Sequence, residues 1–139
     1  MILEQWVHWN PIQDLAEKYL IEFINDTQEE LDIHLVSDDR HKKRMRIVFK
    51  QPVLFYKLIA EFCTMDDIDN LRVRYGNEFI WRSSLFKVVD SKYLHFLKEE
   101  SCVNFAELQP IHFVILDLNF QINVITTTEP LVEWIEHAS

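Results

Sequence analysis

Glycine is almost missing from this chain: Gly76 is the only one in 139 residues. Phosphate-cradling loops, nucleophile elbows and dinucleotide-binding fingerprints place glycine where the backbone turns tightly or approaches a ligand closely. Those enzyme classes are therefore excluded. Cysteine is scarce too. Cys63 and Cys102 stand alone, with neither the spacing of a zinc ribbon nor the density of a disulfide framework, and read as reduced thiols in a cytosol. No apolar run approaches the ~18 residues of a membrane span, and Glu4 stands where a signal peptide would carry positive charge. The expectation is a cytoplasmic protein with no membrane association.

Apolar and aromatic residues are abundant. The hydrophobic fraction is 48%, with ten Phe, four Trp and four Tyr, enough for one core in a single domain over 1–139; a chain of this size typically buries about 68–70% of its unfolded surface. The formal charge of −9 is uneven. Residues 1–39 hold ten acids and one base, 40–60 hold seven bases and no acid, and 61–139 hold thirteen acids and six bases. An acidic body disfavours nucleic acid and favours basic partners.

The pattern of apolar residues divides the chain into elements. Asn10, Pro11 and Gln13 resemble the cap of a helix over 11–25, in which Ile12, Leu15, Ala16, Tyr19, Phe23 and Ile24 form a stripe. Residues 31–37 and 44–50 alternate as a hairpin. Over 53–62 the periodicity fits strand and helix alike, and its aromatic and β-branched residues favour a strand. Thr64 and Asp67 suggest a short turn of helix, followed by strands at 71–75 and 79–89 around the Gly76-Asn77 turn. Asp90 or Ser91 caps a helix over 92–100. Residues 111–126 form a hairpin about Leu118 and Asn119, and Thr128 with Pro130 opens a short terminal helix. The fold expected is α+β: a mostly antiparallel sheet of five to seven strands, with an N-terminal helix and a second helix packed on one face.

The hairpin at 111–126 is the element around which the rest is expected to pack. Phe113, Ile115, Phe120, Ile122 and Val124 share one face, on which the helices at 11–25 and 92–100 would close. His112, Gln121 and Asn123 fall on the other face, open to water, a partner or a ligand.

No complete catalytic or metal motif is spelled out. The histidines lack the HxH and HExxH spacings that bring two imidazoles to one metal. The run 66–70, DDIDN, has Leu71 and Asn77 where a calcium loop counted from Asp66 needs glycine and glutamate. RHKKRMR, 40–46, lacks stacking aromatics and reads as a soluble turn whose charges can pair with acids of the same chain. No catalytic residue, cofactor or metal is assigned, and the chain leans away from an enzyme.

The segment FKVVDSKYLHFLKEES, followed by HFVILDLNFQINVITTTEP, resembles small bacterial proteins encoded beside polymorphic toxins and thought to act as immunity proteins. The likeness runs over 79–130: strand Phe86-Lys87-Val88, the Asp90-Ser91-Lys92-Tyr93-Leu94 helix start, Ser101, and the His112-Phe113 hairpin ending near Glu129-Pro130. It implies an intracellular inhibitor that binds a toxin domain, often a basic nuclease, without performing chemistry; such families bind through variable surfaces, so no site residue carries over. The residues chosen for contact with a basic protein partner are Trp6, Trp9, Glu29, Glu30, Asp66, Asp67 and Asp69, as aromatic or acidic residues of expected surface segments. The alternatives are a small-ligand-binding protein or enzyme, with a pocket lined by His112, Gln121 and Asn123, and a structural homo-oligomer. The sequence leaves the oligomeric state open.

Overall fold

The computed structural model describes residues 4–60, 65–100 and 105–135. In chain order the elements are β1 (Gln5–His8), β2 (Tyr19–Asp26), β3 (Glu30–Ser37), β4 (Arg44–Lys50), β5 (Phe55–Ala60), α1 (Met65–Tyr75), α2 (Asn77–Trp81), β6 (Leu85–Val89), α3 (Lys92–Glu100), α4 (Phe105–Leu108), β7 (Ile111–Leu116), β8 (Phe120–Thr126) and β9 (Leu131–Ile135). The α+β class is as expected, but the strands form two antiparallel sheets rather than one. The orders are β1-β6-β7-β8-β5 and β2-β3-β4-β9.

The sheets face each other across a core containing Leu31, Ile33, Met45 and Phe49 from the four-stranded sheet and Phe113, Ile115, Ile122 and Val124 from the five-stranded one. A second core lies on the far side of the five-stranded sheet, where Leu71 of α1 and Ile80 of α2 meet Trp6, Phe86, Val114 and Leu116. The result is three layers: sheet, sheet, helices.

The hairpin at 111–126 has the expected register, with Leu116 opposite Gln121 and Asp117 N–H bonded to Phe120 O at 2.9 Å across Leu118 and Asn119. Its inner face is closed by the other sheet, not by helices. Its other face is also buried, with Val114 and Asn123 at 0% exposure, so it is not a water-facing surface. The 31–50 hairpin and the strand within 53–62 form as read. Asp39 organises the turn between β3 and β4, its carboxylate accepting from His41 N–H at 2.9 Å and the Ser37 hydroxyl at 3.0 Å.

Four sequence expectations are corrected. There is no helix over 11–25. Asp14 takes a positive φ of 63°, which an α-helix excludes, and Ile12, Leu15 and Ala16 reach the core from irregular backbone. β2 follows, and a bulge between Ile21 and Phe23 inserts an extra residue, so that Ile21 and Ile24 both pack on the core at a spacing that imitates a helix. Residues 71–75 are helical, because Ile68, Leu71 and Tyr75 pack together on the sheet at helical spacing while Val73 is 90% exposed. The strand read over 79–89 is divided: α2 ends at Trp81 and β6 begins at Leu85. The terminal segment is the edge strand β9, paired to β4 with Trp134 opposite Met45, and its Val132 and Trp134 alternate onto the core.

Candidate functional site

On the helix-facing side of the five-stranded sheet, antiparallel register places His112 opposite Ile125 and Val114 opposite Asn123. His112 and Asn123 are thus diagonal neighbours on one face. His112 Nε2 and Asn123 Oδ1 lie 2.9 Å apart, and Gln121 Nε2 donates to the same oxygen at 3.3 Å. The three residues read from sequence as a possible ligand pocket do come together, at the floor of a cleft of about 120 Å³.

The walls come from elements that sequence reading did not connect. Trp6 enters from β1, Leu71 and Arg74 from α1, and Tyr93 from the first turn of α3. Ser91 caps α3 by accepting from Leu94 N–H at 3.1 Å, the N-cap geometry. Glu4 ties the wall together: its carboxylate accepts from the Trp6 indole N–H at 3.1 Å and from Lys92 N–H at 2.8 Å. A carboxylate at a helix N-terminus also complements the exposed amides there. Arg74 donates to the Glu4 carbonyl.

Burial pushes the His112 imidazole down to about 4; the bond to Asn123 and the charge of Glu4 oppose this, and Lys92 adds to it. The ring is therefore neutral near pH 7. Because Asn123 Oδ1 can only accept, Nε2 carries the ring proton and Nδ1 presents a bare lone pair. His112 Nδ1 and Asn123 Nδ2 are buried and have no hydrogen-bond partner among the described residues. An acceptor and a donor are both left unsatisfied, which is costly unless something polar meets them.

A second polar cluster occupies the outer face of the four-stranded sheet. Arg46 is cross-strand neighbour to His34 on β3 and Glu133 on β9. Its guanidinium bonds Asp32 at 3.0 Å, Glu133 at 3.1 Å and Glu30 at 3.2 Å, and these carboxylates hold it charged well above the ordinary arginine range. Arg44 pairs with Glu22 at 2.7 Å. Arginines of the 40–46 run thus pair with acids of the same chain, as the sequence suggested. Phe23 stacks on His34, centroids 4.0 Å apart, and remains 52% exposed.

The residues chosen for a partner surface do not form one patch. Trp6 and Trp9 are only 7% and 6% exposed and belong to different cores, so neither is a surface anchor. Glu29 is exposed in the β2–β3 turn and Glu30 belongs to the Arg46 cluster. Asp69 lies in another layer, on α1, paired with Arg72 at 3.3 Å. Asp66 and Asp67 belong to α1, but their side chains lie outside the described residues, as do Thr64, Cys63, Ser101, Cys102 and His137. Asp32 and His34 carry no role in the sequence reading, although the alternation of 31–37 and 44–50 sets them on the same sheet face as Arg46.

Among the described residues no group of three or more His, Cys, Asp or Glu is placed to hold a metal, and no helix is long and apolar enough to cross a membrane. Searches against protein-family models, curated proteins and solved structures found no match to this chain.

Proposed function

We propose that this protein is a non-enzymatic protein-binding inhibitor, of the kind that neutralises a basic toxin domain in the bacterial cytoplasm, and that it engages its partner through the outer face of the four-stranded sheet. The observation that carries this reading is the charge balance around Arg46: three carboxylates, Glu30, Asp32 and Glu133, share one guanidinium. The cluster keeps a net excess of two negative charges. They are held on paired strands, so little side-chain entropy remains to be lost on binding. Such a face attracts cationic partners over distance and gives orientation on contact, while exposed Phe23 and Leu131 supply apolar area beside it.

The test uses the products of the genes flanking this one, each co-expressed with the protein and measured for complex formation and association rate. The reading expects one of them to bind, and Glu30→Lys with Glu133→Lys to slow association about tenfold at low salt, whereas Asp69→Lys leaves it unchanged. Failure of every flanking product to bind, or an association rate indifferent to the double substitution, overturns it.

A further inference from the structure

We infer that the free edge of β9 docks an extended segment of a protein partner, which adds to the four-stranded sheet as a further strand and sets a basic residue opposite Glu133 between two apolar ones. This rests on the reading that a cationic partner approaches the outer sheet face, and it states how that partner's chain lies. β9 bonds to β4 on one side and has no strand on the other among the described residues. Its five residues pair with β4 in unbroken register from Leu131 to Ile135, whereas β2, at the opposite end of the sheet, is interrupted by a bulge. Lysine, proline and bulges are common means of closing an edge to added strands. Leu131–Ile135 holds none of them.

The side chains on the two faces of β9 define what can lie beside it. On the inner face Val132 and Trp134 pack on the core but stay half-buried, while Ile47 and Met45, their neighbours on β4, are fully buried. The core is thus open at this edge, and apolar side chains of a further strand close it. On the outer face, register sets Phe23, His34, Arg46 and Glu133 in one row across the four strands. Opposite charges directly across a sheet attract and like charges repel. The row ends on the carboxylate of Glu133, in a cluster where three acids share one guanidinium, so the place beyond it favours a cation. A second copy of this chain, joined β9 to β9 about Glu133, would set two glutamates face to face and is the poorer occupant.

The probes are a capped peptide, Thr-Val-Lys-Val-Thr, and its analogue with glutamate in place of lysine. Each is titrated into the intact protein labelled with ¹⁵N, and amide shifts and hydrogen exchange are followed. The lysine peptide should slow exchange at alternate amides within 131–135, leave those of 19–26 unmoved, and bind about fivefold more tightly than the glutamate peptide at low salt, the size of one cross-strand charge pair against its reversal. Glu133→Gln should erase that ratio and keep the protection. Methylating the peptide nitrogens of the two valines, or those of the lysine and threonines, should abolish binding in one case and spare it in the other, because an outer strand uses alternate amides only. No protection within 131–135 with the lysine peptide in millimolar excess, equal affinity of the two peptides, or binding that survives both methylations overturns the proposal. So does light scattering that finds a dimer with 131–135 already protected. The peptides replace the partner, so this experiment and the flanking-gene experiment fail separately.

Discussion

Nε2 of His112 lies 2.9 Å from Oδ1 of Asn123 in the interior, and this contact fixes the imidazole in one neutral tautomer. A second proton would create a buried charge on Nδ1. In the unfolded chain the ring takes up a proton near pH 6.5, in the folded protein only at about 4. Between these values the unfolded state binds more protons, so this contribution to stability is intact above pH 6.5 and is lost as the pH falls to about 4. At 1.36 kcal/mol per unit the loss amounts to roughly 3 kcal/mol. Urea unfolding at pH 7 and pH 4.5 should show a smaller decrease for His112→Gln than for the wild type, even though the variant starts less stable. Equal decreases would place the acid sensitivity elsewhere.

Phe113 stands where the two sheets meet, its ring 4.8 Å from that of Trp9 and 5.4 Å from that of Phe49. Phe113→Ala should cost about 3–5 kcal/mol, the range for emptying a packed aromatic site. Phe96, 52% exposed on α3, should cost far less, within about 0.5–1 kcal/mol. Chemical denaturation of both variants checks this, and similar losses would mean that the sheet interface is not the main core.

Removing Arg46 leaves three carboxylates facing one another, one of them, Asp32, only 8% exposed. Arg46→Met should therefore destabilise by about 1–3 kcal/mol, while Asp32→Asn combined with it should cost less than the two changes added. A double-mutant cycle should show a coupling of about 1 kcal/mol. Strict additivity would mean that the crossing of guanidinium and carboxylates is energetically idle.

Asp117 joins the layers at one end of the sandwich. Its carboxylate accepts from Asn119 N–H at 2.6 Å within its own turn and from Ile21 N–H at 2.7 Å in the opposite sheet. Asp117→Ala should cost about 1–3 kcal/mol and speed amide exchange at Ile21 more than at Ile33 in the middle of the same sheet. Unchanged protection at Ile21 would show that the turn does not hold β2.

Where strand alternation was regular and its turn short, the sequence was sufficient. The 111–126 hairpin could be placed to the residue, because a two-residue turn leaves one register and alternation then decides which side chains share a face. The same reasoning brought His112, Gln121 and Asn123 together. What covered that face depended on contacts between distant segments: α1 lies some forty residues earlier in the chain than β7, and no local pattern announces the meeting. Short runs were misread for local reasons. Residues 71–75 alternate as a strand does, yet Leu71 and Tyr75 also repeat at helical spacing, and only the sheet beneath selected between the two. β2 is hidden because Tyr19, Phe23 and Ile24 repeat at helical spacing, although Phe23 is exposed and it is the bulge at Glu22 that brings Ile24 to the core face. Trp6 and Trp9 read from sequence both as cover for one edge of the core and as interface anchors, and their burial keeps only the first.

That bulge has one more effect. β2 is one of the two outer strands of its sheet, and a straight outer strand offers its free amides and carbonyls to any extended peptide that comes alongside. The extra residue bends this rim and breaks its ladder. Along the β2 rim, molecules of this protein are thereby discouraged from stitching edge to edge into fibrils, and a visitor there must recognise side chains rather than extend the sheet.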